Sequence, residues 1–339
     1  MRPIVTEPLV LKLARPFRIA HGVSAERTNV LVRLGEAVGE AGLPPYLGVG
    51  YPEVAAWLDG VKLPEWNPDS PPPIRTWISN LPDGPAAARC ALDLALHDWW
   101  AQAAGQPLHA MLGLDPSAAP ASYRTVGIPE TGAAPTLPEG DRLKLKLGSG
   151  DTDEDVRVAR TVRLTRPEAE LCVDANGGWS IPEAVRIIPQ LAELKVSFIE
   201  QPIAQTDPED WHLLRRLLAP SGRPPLIADE SAHTVDDLIA LAGAADGVNV
   251  KLAKCGGIAA TLKLIDMARA LDMQVVLGCM VESAVAITAA AHLASLADFT
   301  DLDGAELIAN PPFEGVALVD GHPRLPVAPG IGVRATMHA

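Results

Sequence analysis

The chain has 339 residues, of which 48% are hydrophobic and 21% charged, so it can bury a large core as one barrel or as two domains. Its formal net charge of −14 argues against a nucleic-acid partner. The N-terminus lacks a signal-peptide pattern and no apolar run reaches the ~20 residues of a membrane span, so we expect a cytoplasmic protein without a membrane partner.

The first hundred residues are predicted to form an α+β unit. Residues 4–42 alternate apolar and polar positions around a glycine-containing connection, which predicts a small antiparallel meander. Residues 84–105 change to the helical period and end in glycine, which predicts one long helix.

After Ser122 the pattern changes to short β-rich runs separated by helical stretches. There are eight such runs: SYRTVGI, RLKLKLG, ELCVDANGG, VSFIEQP, PLIADES, GVNVKLAKCGG, QVVLGCMVES and FTDLDGAE. Strands that alternate with helices predict a parallel (β/α) barrel of ~200 or more residues. Only PETGAAPTLPEGD separates the first two runs, and its prolines and glycines predict that the first barrel helix is short or missing.

Polar residues follow the apolar part of most of these runs. They are Lys146, Asp174, Glu200, Asp229, Lys251, Glu282, Asp301 and Asp303. In a parallel barrel the carboxyl ends of all strands meet at one mouth, where such enzymes place their chemistry. We therefore expect these side chains to lie close together.

Three of the acids predict a metal site. Asp174, Glu200 and Asp229 would lie on adjacent strands, and three carboxylates cannot all stay ionised in a dry pocket without a cation. Oxygen ligands without sulfur or imidazole favour Mg²⁺, with Mn²⁺ as a substitute. Any one of these acids alone could instead cap a helix or pair with a surface lysine. Three acids in register on adjacent strands favour a metal site.

Three lysines flank the predicted metal. Lys144 and Lys146 share one face of the second strand, and Lys251 ends the sixth, so the lysines approach a bound molecule from opposite sides. This geometry suits removal of a proton from one face of a carbon and its return to the other. A nearby cation and a second lysine would lower the pKa of such a base. A single lysine could instead extend from the strand so that its ammonium reaches solvent. That alternative does not explain lysines on opposite sides of the predicted metal.

As an ordered set, the motifs KLK at 144–146, VDANGGW, IEQP, ADES and NVKLAKCGG resemble the enolase superfamily in its muconate-lactonizing subgroup. The resemblance covers essentially the whole chain. It implies an α/β fold, with a modified (β/α)7β TIM-type barrel at 106–318 and an α+β capping domain at 1–105. A C-terminal tail at 319–339 would return to the capping domain.

The resemblance also implies roles for the matching residues. One Mg²⁺ per subunit would be held by Asp174, Glu200 and Asp229, and Lys146 and Lys251 would be the two acid/base residues. Lys144 would assist electrostatically. The metal would hold a substrate carboxylate and stabilise the enolate that forms when the α-proton leaves. A homo-oligomer is compatible with this family.

The end of the barrel most resembles the dipeptide epimerases, in which a D-x-D on the eighth strand binds the free ammonium of a dipeptide. Here that pair would be Asp301 and Asp303 on one face of a strand, with Glu282 of GCMVES also near the substrate. Read alone, DLDG could be a solvated turn. The resemblance is to the L-Ala-D/L-Glu epimerases of murein peptide recycling.

The residue that recognises the second side chain departs from this pattern. Similar proteins often place an arginine after the PF motif, and His21 stands there in this chain. Histidine is at best partly charged at neutral pH, so Arg18 or Arg27 would have to substitute. Other enolate enzymes of the same scaffold remain alternatives, namely N-succinylamino acid racemase, o-succinylbenzoate synthase and muconate cycloisomerase. A non-catalytic small-molecule binding protein is a further one.

Overall fold

The computed structural model describes residues 3–19, 22–64, 72–205, 207–218 and 222–336. No helix within these ranges combines the length and the apolar character needed to cross a bilayer.

An antiparallel sheet begins the chain, as the alternating pattern predicts. Its strands in the described residues are β1 (Val5–Ile19), β2 (Gly22–Leu34) and β3 (Ala37–Ala41), in that order. Helices α1 (Tyr51–Gly60), α2 (Ile74–Ser79), α3 (Ala86–Ala103) and α4 (Leu108–Met111) follow. Helix α3 packs so closely on β3 that a β-carbon at Gly39 would overlap the carbonyl oxygen of Ala91. The predicted meander and long helix are thus confirmed.

A parallel barrel follows, and each of the eight predicted runs contains one of its strands. Over the described residues these are β4 (Arg124–Val126), β5 (Arg142–Lys146), β6 (Glu170–Asp174), β7 (Val196–Glu200), β8 (Leu226–Ala228), β9 (Gly247–Val250), β10 (Gln274–Gly278) and β11 (Phe299–Asp301). Neighbours in sequence are neighbours in the sheet. The backbone N–H of Tyr123 donates to the carbonyl of Thr300 at 2.9 Å, which brings the first and last strands together.

Helices connect the barrel strands on the outside. They are α5 (Thr152–Thr165), α6 (Ile181–Glu193), α7 (Pro208–Leu217), α8 (Val235–Leu241), α9 (Leu252–Cys255), α10 (Ile258–Ala270) and α11 (Ala284–Ala291). Residues 127–141, between β4 and β5, contain no helix, which confirms the missing first barrel helix. Three prolines in this segment, together with positive φ angles at Gly132 and Gly140, are incompatible with a continuous helix.

The C-terminal segment contacts α3 and the helix that follows it. It contains β12 (Phe313–Glu314), β13 (Ala317–Val319), β14 (His322–Arg324) and β15 (Arg334–Ala335). The N–H of Ile331 donates to Asp98 of α3 at 2.7 Å, and Leu108 donates to the carbonyl of Gly330 at 2.9 Å. The domain boundaries at residues 105 and 318 stay predictions.

An apolar layer fills the barrel interior below the mouth. Tyr123, Cys172, Phe198, Ile227 and Val276 form one buried cluster. Cys172, Phe198 and Ile227 each lie two residues before one of the three predicted metal ligands, on the same face of the same chain segment. The strand period therefore places the acids one layer above this apolar floor.

Candidate active site

The three predicted acids meet at the carboxyl ends of adjacent strands. Asp174 and Glu200 are the last residues of β6 and β7 and are partners in register, and Asp229 directly follows β8. All three are at most 1% exposed. Burial of three carboxylates requires compensating positive charge.

Lysines supply part of that charge. Lys144 Nζ lies 2.8 Å from Glu200 Oε2 and 3.2 Å from Asp174 Oδ2. Lys146 Nζ lies 2.5 Å from the same Asp174 oxygen, and Lys251 Nζ lies 2.5 Å from Asp229 Oδ2. Strands β6, β7 and β8 lie between β5 and β9, so the lysines approach the acids from two sides, as expected.

The second oxygen of each acid is held by another group. Asp174 Oδ1 accepts the N–H of Asn176 at 2.9 Å, and Glu200 Oε1 accepts the Asn249 amide at 2.8 Å. Asp229 Oδ1 accepts from Lys254 Nζ at 2.8 Å. One oxygen of each acid is therefore fixed, while the other contacts the ammonium of Lys144, Lys146 or Lys251.

Sequence reasoning missed Lys254 and Asn249. Lys254 is 3% exposed, and its Nζ also donates to the carbonyls of Asp229 at 2.6 Å and of Asn249 at 2.7 Å. A signal was available in NVKLAK, because Asn249 lies two residues before Lys251 on the same strand face and Lys254 lies three residues after it in a one-turn helix.

The charges of the acids are unequally balanced. Burial opposes ionisation of Asp229, but the ammonium groups of Lys251 and Lys254 outweigh it and hold the pKa of this carboxyl well below its ordinary value. Burial, together with the negative charge of Asp174, raises the pKa of Glu200 to about 8. The lysines alone thus do not keep all three acids ionised at neutral pH. A bound cation would supply the missing positive charge.

The surroundings of Lys144 favour its charged form. Its ammonium is buried, yet the carboxylates of Asp301, Glu200 and Asp174 outweigh burial and raise the pKa of Lys144 well above its ordinary value. All three of these acids lie within 3.2 Å of its Nζ. The raised pKa favours the ammonium form of Lys144, which can stabilise a nearby anion.

Among the described residues, no three His, Cys, Asp or Glu side chains are already arranged as a metal cluster. Lysine ammonium groups occupy positions among the acid oxygens instead. The donor set nevertheless fits a hard divalent cation, because it consists of oxygens alone. One oxygen of Asp174 and one of Glu200 also contact the same Lys144 nitrogen, so a single cation can reach both.

The two aspartates predicted to bind an ammonium line one cavity together with Lys146 and Lys251. Asp301 ends β11; its Oδ2 lies 2.6 Å from Lys144 Nζ, and its buried Oδ1 has no hydrogen-bond partner among the described residues. Asp303 accepts from the N–H and the hydroxyl of Thr125 at 2.6 and 3.1 Å. Burial and the charge of Asp301 raise the pKa of Asp303 to about 7.

The expectation that both aspartates lie on one face of a strand is wrong. Strand β11 ends at Asp301, and Asp303 begins a 3₁₀ turn with φ −85° and ψ 1°. The strand stops because the N–H of Leu302 donates to the hydroxyl of Ser122 at 2.8 Å instead of continuing the ladder. The two side chains share the cavity although they belong to different backbone conformations.

Glu282 does not line this cavity. Its Oε1 accepts the N–H of Gly42 at 2.9 Å, and its Oε2 accepts the N–H of Met280 at 3.0 Å. Burial and the nearby Glu40 raise the pKa of Glu282 to about 7. Glu282 therefore connects the first sheet to the loop after β10.

The residues named for second-side-chain recognition are only partly described. His21 and the side chain of Arg18 lie outside the described part of the chain. Arg27 of β2 is half-buried and lines the cavity.

Comparisons with known proteins agree with this architecture. Residues 139–339 match the family model described as "Enolase C-terminal domain-like". The chain is 35% identical to the L-Ala-D/L-Glu epimerase of Bacteroides thetaiotaomicron, over 96% of this chain and 86% of that protein. It is 39% identical to the hydrophobic dipeptide epimerase of Flavobacteria bacterium (strain MS024-2A), over 73% and 72%.

A solved structure is similar over nearly the whole chain. The dipeptide epimerase of Cytophaga hutchinsonii, complexed with Mg and the dipeptide D-Ala-L-Val, superposes with a TM-score of 0.84 at 25% identity. The match covers 98% of this chain and 95% of that one.

Proposed function

Since the chain belongs to the enolase superfamily, we propose that it is a Mg²⁺-dependent epimerase that inverts the α-carbon of the C-terminal residue of a dipeptide. The observation that carries this proposal is the cavity itself. Lys146 and Lys251 line it from strands on either side of three buried acids, and Asp301 and Asp303 line it as well. It would thus offer two bases and an acidic site for an ammonium.

Asp174, Glu200 and Asp229 would hold the Mg²⁺, and Mn²⁺ would substitute for it because both ions prefer oxygen ligands. When bound, Mg²⁺ supplies positive charge that offsets the charge developing on the substrate carboxylate as the α-proton leaves. The relative from Cytophaga hutchinsonii is complexed with Mg, which supports Mg²⁺ as the metal.

The proton transfer would use two lysines in opposite protonation states. One, as a neutral amine, removes the α-proton from its own face of the carbon, while the other, as an ammonium, delivers a proton to the opposite face. Family resemblance assigns Lys146 to the L and Lys251 to the D configuration. Lys144 stays charged and stabilises the negative charge that appears between the two transfers.

Asp301 and Asp303 would bind the free ammonium of the first residue. Asp301 Oδ1 is a buried acceptor without a partner among the described residues, so an ammonium there gains a charge-assisted hydrogen bond. An N-succinyl group would instead bring a carboxylate against two acids. This repulsion favours the dipeptide over the N-succinylamino acid racemase alternative.

For the second residue we propose glutamate, so the substrate would be L-Ala-D/L-Glu and the role murein peptide recycling. The relatives differ here, since one is named for glutamate and another for hydrophobic dipeptides. Arg27 lines the cavity and favours glutamate, because a guanidinium can pair with a side-chain carboxylate.

The test is deuterium uptake. The protein is incubated in D₂O with Mg²⁺ and a library of dipeptides and N-succinylamino acids, and mass spectrometry measures exchange at the α-carbon. We expect uptake into dipeptides with an acidic second residue, its loss with excess chelator, and its recovery with Mg²⁺ or Mn²⁺. Full exchange in excess chelator would remove the metal from the proposal, and preferred uptake into N-succinylamino acids would replace the dipeptide.

A further inference from the structure

We propose that Glu40 and Asn29 of the first sheet position Arg27 against the cavity wall formed by residues 279–281, and thereby set selectivity for an acidic second residue without touching the substrate. The proposal rests on the dipeptide epimerase function proposed above. We call the hydrogen-bonded set Asn29, Glu40 and Ser283 the clasp.

Glu40 is the centre of the clasp. It lies on β3 with no exposed surface, and its Oε1 accepts from the Asn29 amide and from the N–H of Ser283, both at 2.9 Å. Its Oε2 accepts from the Ser283 hydroxyl at 2.5 Å and from the N–H of Ala286 at 3.4 Å. A carboxylate from the first sheet thus holds the start of barrel helix α11, where a negative charge is favourable.

Asn29 connects the clasp to the cavity wall. Its amide also donates to the carbonyl of Val281 at 3.0 Å, and Val281 lines the cavity. Its Oδ1 accepts the N–H of Leu43 at 3.3 Å. Arg27 lies two residues before Asn29 on the same strand, so both side chains lie on one face of β2. The clasp therefore fixes the distance between the Arg27 strand and the wall.

Glu282 adds a second connection beside the clasp. It bridges Gly42 of the first sheet and Met280 of the wall, and the backbones approach so closely that a β-carbon at Gly42 would lie 3.0 Å from the Met280 side chain. Residues 280–283 are thus held on both sides by the first sheet.

Hydrogen bonds suit this role better than apolar packing would. Burying a carboxylate is costly, and an apolar pair of similar volume would join the two surfaces at least as stably. The hydrogen bonds instead fix how the two surfaces are oriented relative to each other. Such orientation matters because recognition of a carboxylate by a guanidinium requires placement within about 0.5 Å. The clasp supplies that placement through the hydrogen bond from the Asn29 amide to the carbonyl of Val281.

The experiment compares L-Ala-L-Glu with L-Ala-L-Gln, which has nearly the same shape without the charge. The wild type should prefer the glutamate substrate, and Glu40→Gln and Asn29→Ala should each lower the ratio of the two kcat/KM values by ~10-fold or more, mainly through KM for L-Ala-L-Glu. Glu36→Gln, an exposed acid in the turn after β2, is the matched control and should leave the ratio unchanged.

The ratio keeps the test valid if a variant is partly unfolded, because an unfolded fraction lowers both rates equally. Arg27→Gln should abolish the preference, and adding Glu40→Gln to it should lower the ratio no further, because both act on one interaction. Equal losses for both substrates in the clasp variants would overturn the proposal and leave only a structural role.

A second measurement separates the clasp from the proposed function. If the wild type epimerises neither dipeptide, the proposed function fails, and amide hydrogen exchange of the segment 279–286 then tests the clasp alone. Faster exchange there in Glu40→Gln than in Glu36→Gln would show that the clasp holds this segment in place, whereas unchanged exchange overturns the proposal.

Discussion

Two sides of the cavity are built in different ways. On the β5–β9 side, the lysines and acids project from strand ends, and each acid has one oxygen fixed by another group of the barrel. On the β10–β11 side, the wall is a loop held by Asn29, Glu40 and Gly42 of a sheet more than 230 residues away in sequence. The first side is suited to proton transfer on any bound substrate, and the second to choosing among substrates.

The largest effect should come from the two bases. Lys146→Ala and Lys251→Ala should each reduce epimerisation of every dipeptide by ~10³-fold, because each removes one of two proton carriers. Each variant should still exchange the α-proton of one epimer, which NMR in D₂O detects. Lys263→Ala, on the exposed face of α10, serves as the control. Near-normal epimerisation in either variant would refute the two-base scheme.

A smaller effect should follow from blocking the substrate amine. N-acetyl-L-Ala-L-Glu should lose ~100-fold in kcat/KM, about 2 to 3 kcal/mol, because a charged hydrogen-bonding group loses its partners at Asp301 and Asp303. Asp303→Asn should weaken the free dipeptide more than the acetylated one, whereas Asp320→Asn, in an exposed turn, should not. Equal turnover of free and acetylated substrates would move the assignment to the N-succinylamino acid racemase branch.

Glu282, which connects the first sheet to the wall, should make the free energy of unfolding depend on pH. Burial and Glu40 raise the pKa of Glu282 from 4.5 to about 7. A raised carboxyl pKa gives stability that is complete below the unfolded pKa and is lost as pH rises through the folded pKa. Between pH 5 and 7, wild type should therefore lose about 2 kcal/mol of unfolding free energy relative to Glu282→Gln.

Urea unfolding at several pH values measures this difference, and Glu36→Gln is the exposed control. Parallel pH profiles for wild type and Glu282→Gln would show that Glu282 keeps an ordinary pKa in the folded protein.

The smallest expected effect concerns Lys254. Lys254→Met removes the donor that fixes Asp229 Oδ1 and joins it to the Asn249 carbonyl, so Mg²⁺ affinity should fall ~10-fold. Calorimetry measures the affinity, and saturating Mg²⁺ should restore exchange with all dipeptides equally. Unchanged or tighter Mg²⁺ binding would contradict this prediction. It would show that repulsion between the Lys254 ammonium and Mg²⁺ affects the affinity at least as much as the placement of Asp229 does.

Prediction from sequence succeeded where a regular strand alone determines the direction in which a side chain points. KLK placed Lys144 and Lys146 on one face, and the apolar runs before Asp174, Glu200 and Asp229 placed those acids at strand ends. It failed where the chain leaves the strand. Asp303 lies in a turn because Ser122, two residues before β4, accepts the N–H of Leu302 and ends the hydrogen-bond ladder there. No local sequence pattern predicts that contact.

The sequence by itself determined the barrel, its missing first helix, and the ring of acids and lysines at its mouth, because strand period and chain order act over a few residues. Only the tertiary structure decided that Glu282 binds backbone rather than facing the cavity, that Arg27 reaches the cavity, and that Lys144 stays charged. Each of these depends on groups far apart in the chain, and on a balance of burial and charge that exists only once the chain has folded.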